Sequence, residues 1–122
     1  MPNLLLVEDE PDVRESTRFA FEMRGFQVAA AASGEEALKR VADFHPQILL
    51  IDYKLPGMSG AEFLRTVRNS DLTIPAVMIT GFANTEEDIE IEAEKLGISA
   101  FLHKPLQIEA VFQAIQEALR RS

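Results

Sequence analysis

Five short apolar runs, each followed by a stretch in which apolar residues recur at helical spacing, constrain this chain more than any other feature. The runs are Asn3–Val7, Gln27–Ala32, Gln47–Ile51, Ile74–Thr80 and Ile98–Leu102, all of strand length. Strands apolar on both faces must be covered on both sides, and parallel strands need the crossover connections that intervening helices supply. The expected fold class is α/β: a doubly wound, five-stranded parallel sheet with five helices.

Capping signals mark where the helices start and stop. Pro11 suits a first helical position after Asp9 and Glu10. Ser33 with Glu36 and Ser59 with Glu62 have capping-box spacing, and Thr85 with Asp88 is a weaker version. Gly25 and Gly97 stand where C-terminal caps belong. In the last helix Ile108, Val111, Phe112, Ile115 and Leu119 trace one buried stripe.

Composition closes off several classes of function. The 122 residues hold 20 Asp plus Glu against 12 Lys plus Arg, a formal net charge of -8, and no cysteine. Thiol catalysis, Cys-ligated zinc, iron–sulfur clusters and a disulfide scaffold are thereby removed, and a reduced, cytoplasmic setting is expected. No apolar run approaches the roughly 20 residues of a membrane span, so no membrane association is expected. The acid excess argues against direct nucleic-acid binding, which needs clustered Lys and Arg. A single domain over residues 1–122, with no output domain in the chain, is the expected organisation. Whether it stands alone or is cut from a longer protein stays open.

In doubly wound sheets the site lies at the carboxyl ends of the strands. Here those ends carry Glu8-Asp9-Glu10, Asp52, Thr80 and Lys104-Pro105. Any one of these could be an ordinary loop residue; their placement on one sheet edge is the signal. Two unit charges about 4 Å apart at an effective dielectric near 20 repel by about 4 kcal/mol, so Glu8, Asp9 and Asp52 together call for protons or a cation. Lys104 supplies one positive charge and leaves the cluster negative. A hard divalent ion with oxygen ligands, Mg2+ or alternatively Mn2+, suits that environment. Beside such a cation Asp52 is equipped to attack phosphorus, with Lys104 neutralising the phosphoryl oxygens and Thr80 donating a hydrogen bond. The product would be an aspartyl phosphate.

Four motifs carry a resemblance: LLLVEDEPDVR, ILLIDYKLPGMSG, VMITG and AFLHKP. With them the chain resembles, over nearly its whole length, the receiver domain of bacterial two-component response regulators, the CheY-like group. The resemblance implies strand order 2-1-3-4-5 and a non-enzymatic phosphorelay switch that assists its own phosphorylation and dephosphorylation. It implies Asp52 as phosphoacceptor, Glu8 and Asp9 with Asp52 and the backbone carbonyl of Lys54 as the Mg2+ ligands, and Thr80 as the switch hydroxyl. Phe101 is implied as the aromatic that turns inward, Lys104 as the phosphate-pairing lysine, and Lys104-Pro105 as a cis peptide. The implied partners are a sensor histidine kinase or phosphotransfer protein, docking near Val13, Pro105 and Leu106. An output partner or a second copy would meet helix 4, strand 5 and helix 5.

Some positions depart from the commonest pattern. Glu8 stands where Asp is more frequent, and its longer arm can reach a metal through water. The resemblance implies that Lys54 and Phe82 flank the route of attacking water and set the dephosphorylation rate, and the stretch from Thr80 to Lys104 is about two residues longer than usual in that family, at Ala83-Asn84 or in the fourth helix. That helix holds six carboxylates between Glu86 and Glu94 and no basic residue. Ile89, Ala93 and Leu96 share a sheet-facing side, whereas Ile91 points elsewhere; the acidic face reads either as a solvated surface or as a contact for a basic partner or a basic neighbouring protomer. His45 and His103 read as surface loop residues.

Rival readings fit less well. A haloacid-dehalogenase-type phosphatase needs a second Asp two residues after the first, where Lys54 stands. A flavodoxin-like phosphate loop is incompatible with Glu8-Asp9-Glu10, and no glycine-rich phosphate fingerprint occurs. A pseudo-receiver of the same fold, acting by constitutive protein contact without phosphorylation, is the alternative; the joint presence of Asp52, Thr80 and Lys104 speaks against it.

Overall fold

The structure, a computed structural model, describes residues 2–70, 72–81 and 86–121, with the backbone alone at 86–89. Strand and helix alternate throughout: β1 (Asn3–Val7), α1 (Pro11–Glu22), β2 (Gln27–Ala31), α2 (Gly34–Phe44), β3 (Ile48–Asp52), α3 (Gly60–Asn69), β4 (Ala76–Thr80), α4 (Glu86–Lys95), β5 (Ala100–His103) and α5 (Ile108–Arg121). The strands form one parallel sheet in the order β2-β1-β3-β4-β5. Both fold class and order agree with expectation.

Alternation along each strand divides the core between the two faces of the sheet. Leu5, Val7, Leu49, Ile51 and Met78 pack beneath α2, α3 and α4, against Ala37, Val41, Phe63, Leu64, Val67 and Ala93. Leu4, Leu6, Ile48, Leu50, Val77 and Ile79 pack beneath α1 and α5, against Phe21, Val111, Ile115 and Ala118. Every residue of β3 and β4 is buried, as central strands covered on both faces must be. Among the described residues no helix is long and apolar enough to cross a membrane.

The capping chemistry is largely as the sequence predicts. Pro11 opens α1, and Ser59 with Glu62 closes a reciprocal capping box on α3. At α2 the Ser33 hydroxyl accepts from the Glu36 amide, but the Glu36 carboxylate reaches one residue further back, to the Ala32 amide at 2.6 Å. Thr85 lies outside the described residues, as do Phe82 and the Ala83-Asn84 loop.

β3 starts one residue later than its apolar run, and β4 and β5 start two residues later. β4 begins at Ala76 because Pro75 has no amide proton to donate to a ladder, although its carbonyl accepts from Leu49. β5 begins at Ala100 rather than Ile98 because Ile98 is used to end α4. Its amide donates to the Ala93 carbonyl while that of Gly97 donates to Glu94, and Gly97 takes the positive φ of 74° this closure needs.

Candidate functional site

Parallel pairing sets the strand ends side by side. Asp52, last residue of β3, lies opposite Ile79 of β4, and Thr80 lies opposite His103 of β5. The Lys104 amide donates to the Thr80 carbonyl at 2.8 Å, which continues the β4–β5 ladder and keeps Lys104 beside the end of β4. The Lys104 ammonium donates to Asp52 Oδ2 at 2.9 Å and lies 3.4 Å from Glu8 Oε1. The Lys104-Pro105 peptide is cis. Asp9, Glu10, Asp52, Lys54, Gly81 and Lys104 line a cleft of about 360 Å³ at this edge.

Glu8 and Asp52 are 3% and 4% exposed, unusual burial for carboxylates. Their polar partners are close at hand. The Glu10 amide donates to Glu8 Oε2 at 3.1 Å and the Lys54 amide to Asp52 Oδ1 at 3.3 Å. Burial, and next the charge of Asp52, push the Glu8 carboxyl up to about 7, against the pull of the Glu10 amide and Lys104. A hydrogen bond to Asp52, which only protonated Glu8 can donate, adds to the rise. Partial burial works against the Lys104 ammonium, but its hydrogen bond to Asp52 and the charges of Asp52 and Glu8 hold its pKa above the ordinary value. One lysine thus leaves the cluster short of positive charge. Glu8, Asp9 and Asp52 each offer an oxygen, all within 4.8 Å of one another, and this all-oxygen set could hold a hard divalent cation.

Gly60 determines how close α3 comes to the acidic residue. A Cβ at that position would lie 2.4 Å from the Asp52 carbonyl oxygen and 2.8 Å from Ile51, so only glycine lets the helix start directly against the end of β3. The Gly60 amide donates to the Tyr53 carbonyl at 2.7 Å, which fixes the turn that presents Asp52.

The remaining predicted residues sit around this centre at different depths. Thr80 is buried below the cleft, and Phe101 is half-buried on β5 against the core and edge-on to the His103 ring. Val13, Pro105 and Leu106 line a neighbouring cleft of about 390 Å³ that shares Glu10 and Lys104 with the acidic one.

A family model described as the response regulator receiver domain matches residues 4–116. The chain belongs to the response regulator receiver domain family. This receiver domain is 34% identical over 121 residues to the transcriptional regulatory protein AfsQ1 of Streptomyces coelicolor, covering 99% of this chain and 52% of that protein. It is 33% identical to the phosphate regulon transcriptional regulatory protein PhoB of Pseudomonas aeruginosa, covering 98% of this chain and 52% of that protein. The receiver domain thus spans about half the length of these relatives. Among solved structures, a CheY-like receiver domain protein from Methanospirillum hungatei superposes with a TM-score of 0.91 at 27% identity, covering 99% of this chain and 95% of that one.

Several contacts escape sequence reasoning. Arg14 of α1 reaches back to the β1–α1 loop, donating to the Glu8 carbonyl at 3.0 Å and the Asp9 carbonyl at 3.2 Å. Arg65 of α3 pairs with Glu92 of α4 at 2.6 Å, and Arg68 donates to the carbonyls of Leu96 and Leu72. Two carboxylates of the acidic helix therefore face basic groups of the same chain, Glu92 with Arg65 and Glu90 with His103 at 3.8 Å. His103 accordingly links β5 to α4, and His45 takes the left-handed C-cap of α2. The five-residue step from Asp9 to Arg14 was the only available signal for the first of these contacts; nothing local marks the others.

Proposed function

We propose that this receiver domain is a phosphoacceptor switch, one domain over the whole chain, in which Asp52 takes a phosphoryl group from a phosphohistidine on a sensor kinase or phosphotransfer protein in the cytoplasm. The reading rests above all on one observation: Asp52 is buried at the floor of an open cleft with Lys104 at 2.9 Å and two further carboxylates beside it. An Asp52 carboxylate oxygen forms a bond to phosphorus as the bond from phosphorus to the imidazole nitrogen breaks, its electron pair staying on that nitrogen.

Glu8, Asp9, Asp52 and the Lys54 carbonyl would hold Mg2+, or Mn2+ in its place. When bound, the cation neutralises charge on the phosphoryl oxygens. Lys104, already aimed at Asp52, pairs with a phosphoryl oxygen once Asp52 carries the acyl phosphate. The Thr80 hydroxyl donates a hydrogen bond to the same group, and Phe101 turns into the space behind it. Phosphate then favours one of two arrangements of the α4, β5 and α5 face, where an output partner or a second copy binds. The cleft lined by Val13, Pro105 and Leu106 fits the phosphodonor, since it opens onto Lys104.

Incubation with Mg2+ and acetyl phosphate or phosphoramidate, followed by intact-mass measurement, tests this. A single phosphoryl gain is expected, absent in Asp52→Asn and in EDTA. No gain from small donors or from a phosphohistidine protein would favour the pseudo-receiver.

A further inference from the structure

The cleft has one structural weakness. Asp9 is exposed at the rim, outside the sheet, so the direction of its carboxylate depends on the backbone that carries it. Arg14 Nη1 donates to the carbonyl oxygens of Glu8 and Asp9 at 3.0 and 3.2 Å. Those carbonyls belong to the two peptide planes on either side of the Asp9 Cα. One guanidinium nitrogen, with its two protons, therefore ties together the two peptide planes that flank Asp9 and restrains the backbone between them.

Helix electrostatics do not account for this arginine. A cation within the first turns of α1 opposes the helix dipole, which favours acid there. A positive charge beside a cluster built to take a cation also works against cation binding by simple Coulomb repulsion. The compensating contribution is geometric, because a planar guanidinium can hold two consecutive carbonyls with little loss of freedom.

We infer that Arg14 is a positioning residue for the cation-holding carboxylates, acting through the loop backbone and touching no reacting atom. The inference rests on the Mg2+ reading of the preceding subsection. Position and charge predict opposite signs. If charge alone mattered, Arg14→Gln would bind Mg2+ more tightly and Arg14→Lys would equal the parent chain. If Arg14 positions the loop, both variants bind more weakly, Arg14→Gln by about tenfold, as for other outer-shell partners of metal ligands, and Arg14→Lys by less.

The test is a Mg2+ titration of the purified chain followed by its thermal midpoint, whose concentration dependence returns Kd without any phosphorylation. Arg18→Gln, on the same helix but paired outward with Glu15 and Glu22, should leave Kd unchanged. Equal or tighter Mg2+ binding by Arg14→Gln overturns the inference while leaving the site reading intact. If Arg14→Gln does not fold, a Kd for Arg14→Lys equal to the parent value overturns it instead. A folded parent chain that shows no Mg2+ response, with Asp52→Asn behaving identically, overturns both.

Discussion

The acidic cleft and the α3–α4 seam are both rich in carboxylates and are held in opposite ways. In the cleft, Glu8 and Asp52 are buried at the ends of strands whose every neighbour is packed, and one lysine answers both. On α4, Glu90 and Glu92 are half-exposed and meet His103 and Arg65 at the surface, while Ile91 is 49% exposed and, among the described residues of the helix, only Ala93 is fully buried. Burial turns surplus negative charge into a demand for a cation, because interaction energies grow as the dielectric falls. Exposure reduces the same charge to pairs worth roughly 0–1 kcal/mol. The cleft thereby has the makings of a cation site, while α4 is held by ties of low individual energy.

The contrast is broken most directly in the core. Leu50→Ala, beneath the cleft, is expected to cost about 2–5 kcal/mol of unfolding free energy, and Ile91→Ala on α4 to stay within about 0.5 kcal/mol, both by urea denaturation. Comparable losses at the two sites would show that α4 is as firmly embedded as the sheet. Next, Lys104→Met should destabilise the metal-free chain by about 1–3 kcal/mol at pH 8, with Mg2+ recovering most of the loss.

The pH dependence follows from Glu8. Its folded pKa of about 7 lies above the ordinary 4.5, so the folded state holds that proton more tightly than the unfolded chain. This stabilising contribution is complete below about 4.5 and is lost as pH rises through about 7. Metal-free stability should fall across that window, and Glu8→Gln should flatten the fall; an unchanged slope in Glu8→Gln would assign it elsewhere. Mg2+ competes with that proton, so its stabilising effect should be greater at pH 8 than at pH 6.

The smallest effects belong to the seam. Arg68 donates to the last carbonyl region of α4 through Leu96, so Arg68→Ala should cost about 1 kcal/mol and accelerate amide exchange at Gly97 and Ile98 more than in β3. Arg65→Gln, which removes an exposed pair, should change global stability by less than about 0.5 kcal/mol. A larger loss would place the α3–α4 tie alongside the buried contacts of the cleft.

Local pattern made much of this legible. The capping box at Ser59 and Glu62, Pro11 at the head of α1 and the stripe from Ile108 to Leu119 lie within a few residues of the features they predict, and each is found. The gathering of Glu8, Asp9, Asp52 and Lys104 was also within reach, since in a parallel sheet every strand delivers its C-terminal residue to the same edge. The start of β5 was not, because Ile98 is apolar in either role and the choice depends on whether α4 closes through Gly97. Nor were the partners of the acidic helix, since Arg65 and Glu92 stand 27 residues apart with no periodicity joining them.

The sequence by itself determined the alternation of strands and helices, the doubly wound class and the membership of the acidic cluster, since each follows from periodicity or from which residues end the apolar runs. Tertiary structure alone decided that Glu8 is buried deeply enough to hold its proton near neutrality, that Gly60 must pass within touching distance of the Asp52 carbonyl, and that Arg14 turns back onto the loop it follows. The physical reason is distance in three dimensions: desolvation and hydrogen bonding act over a few ångströms of space, and only the packed sheet determines which atoms lie that close.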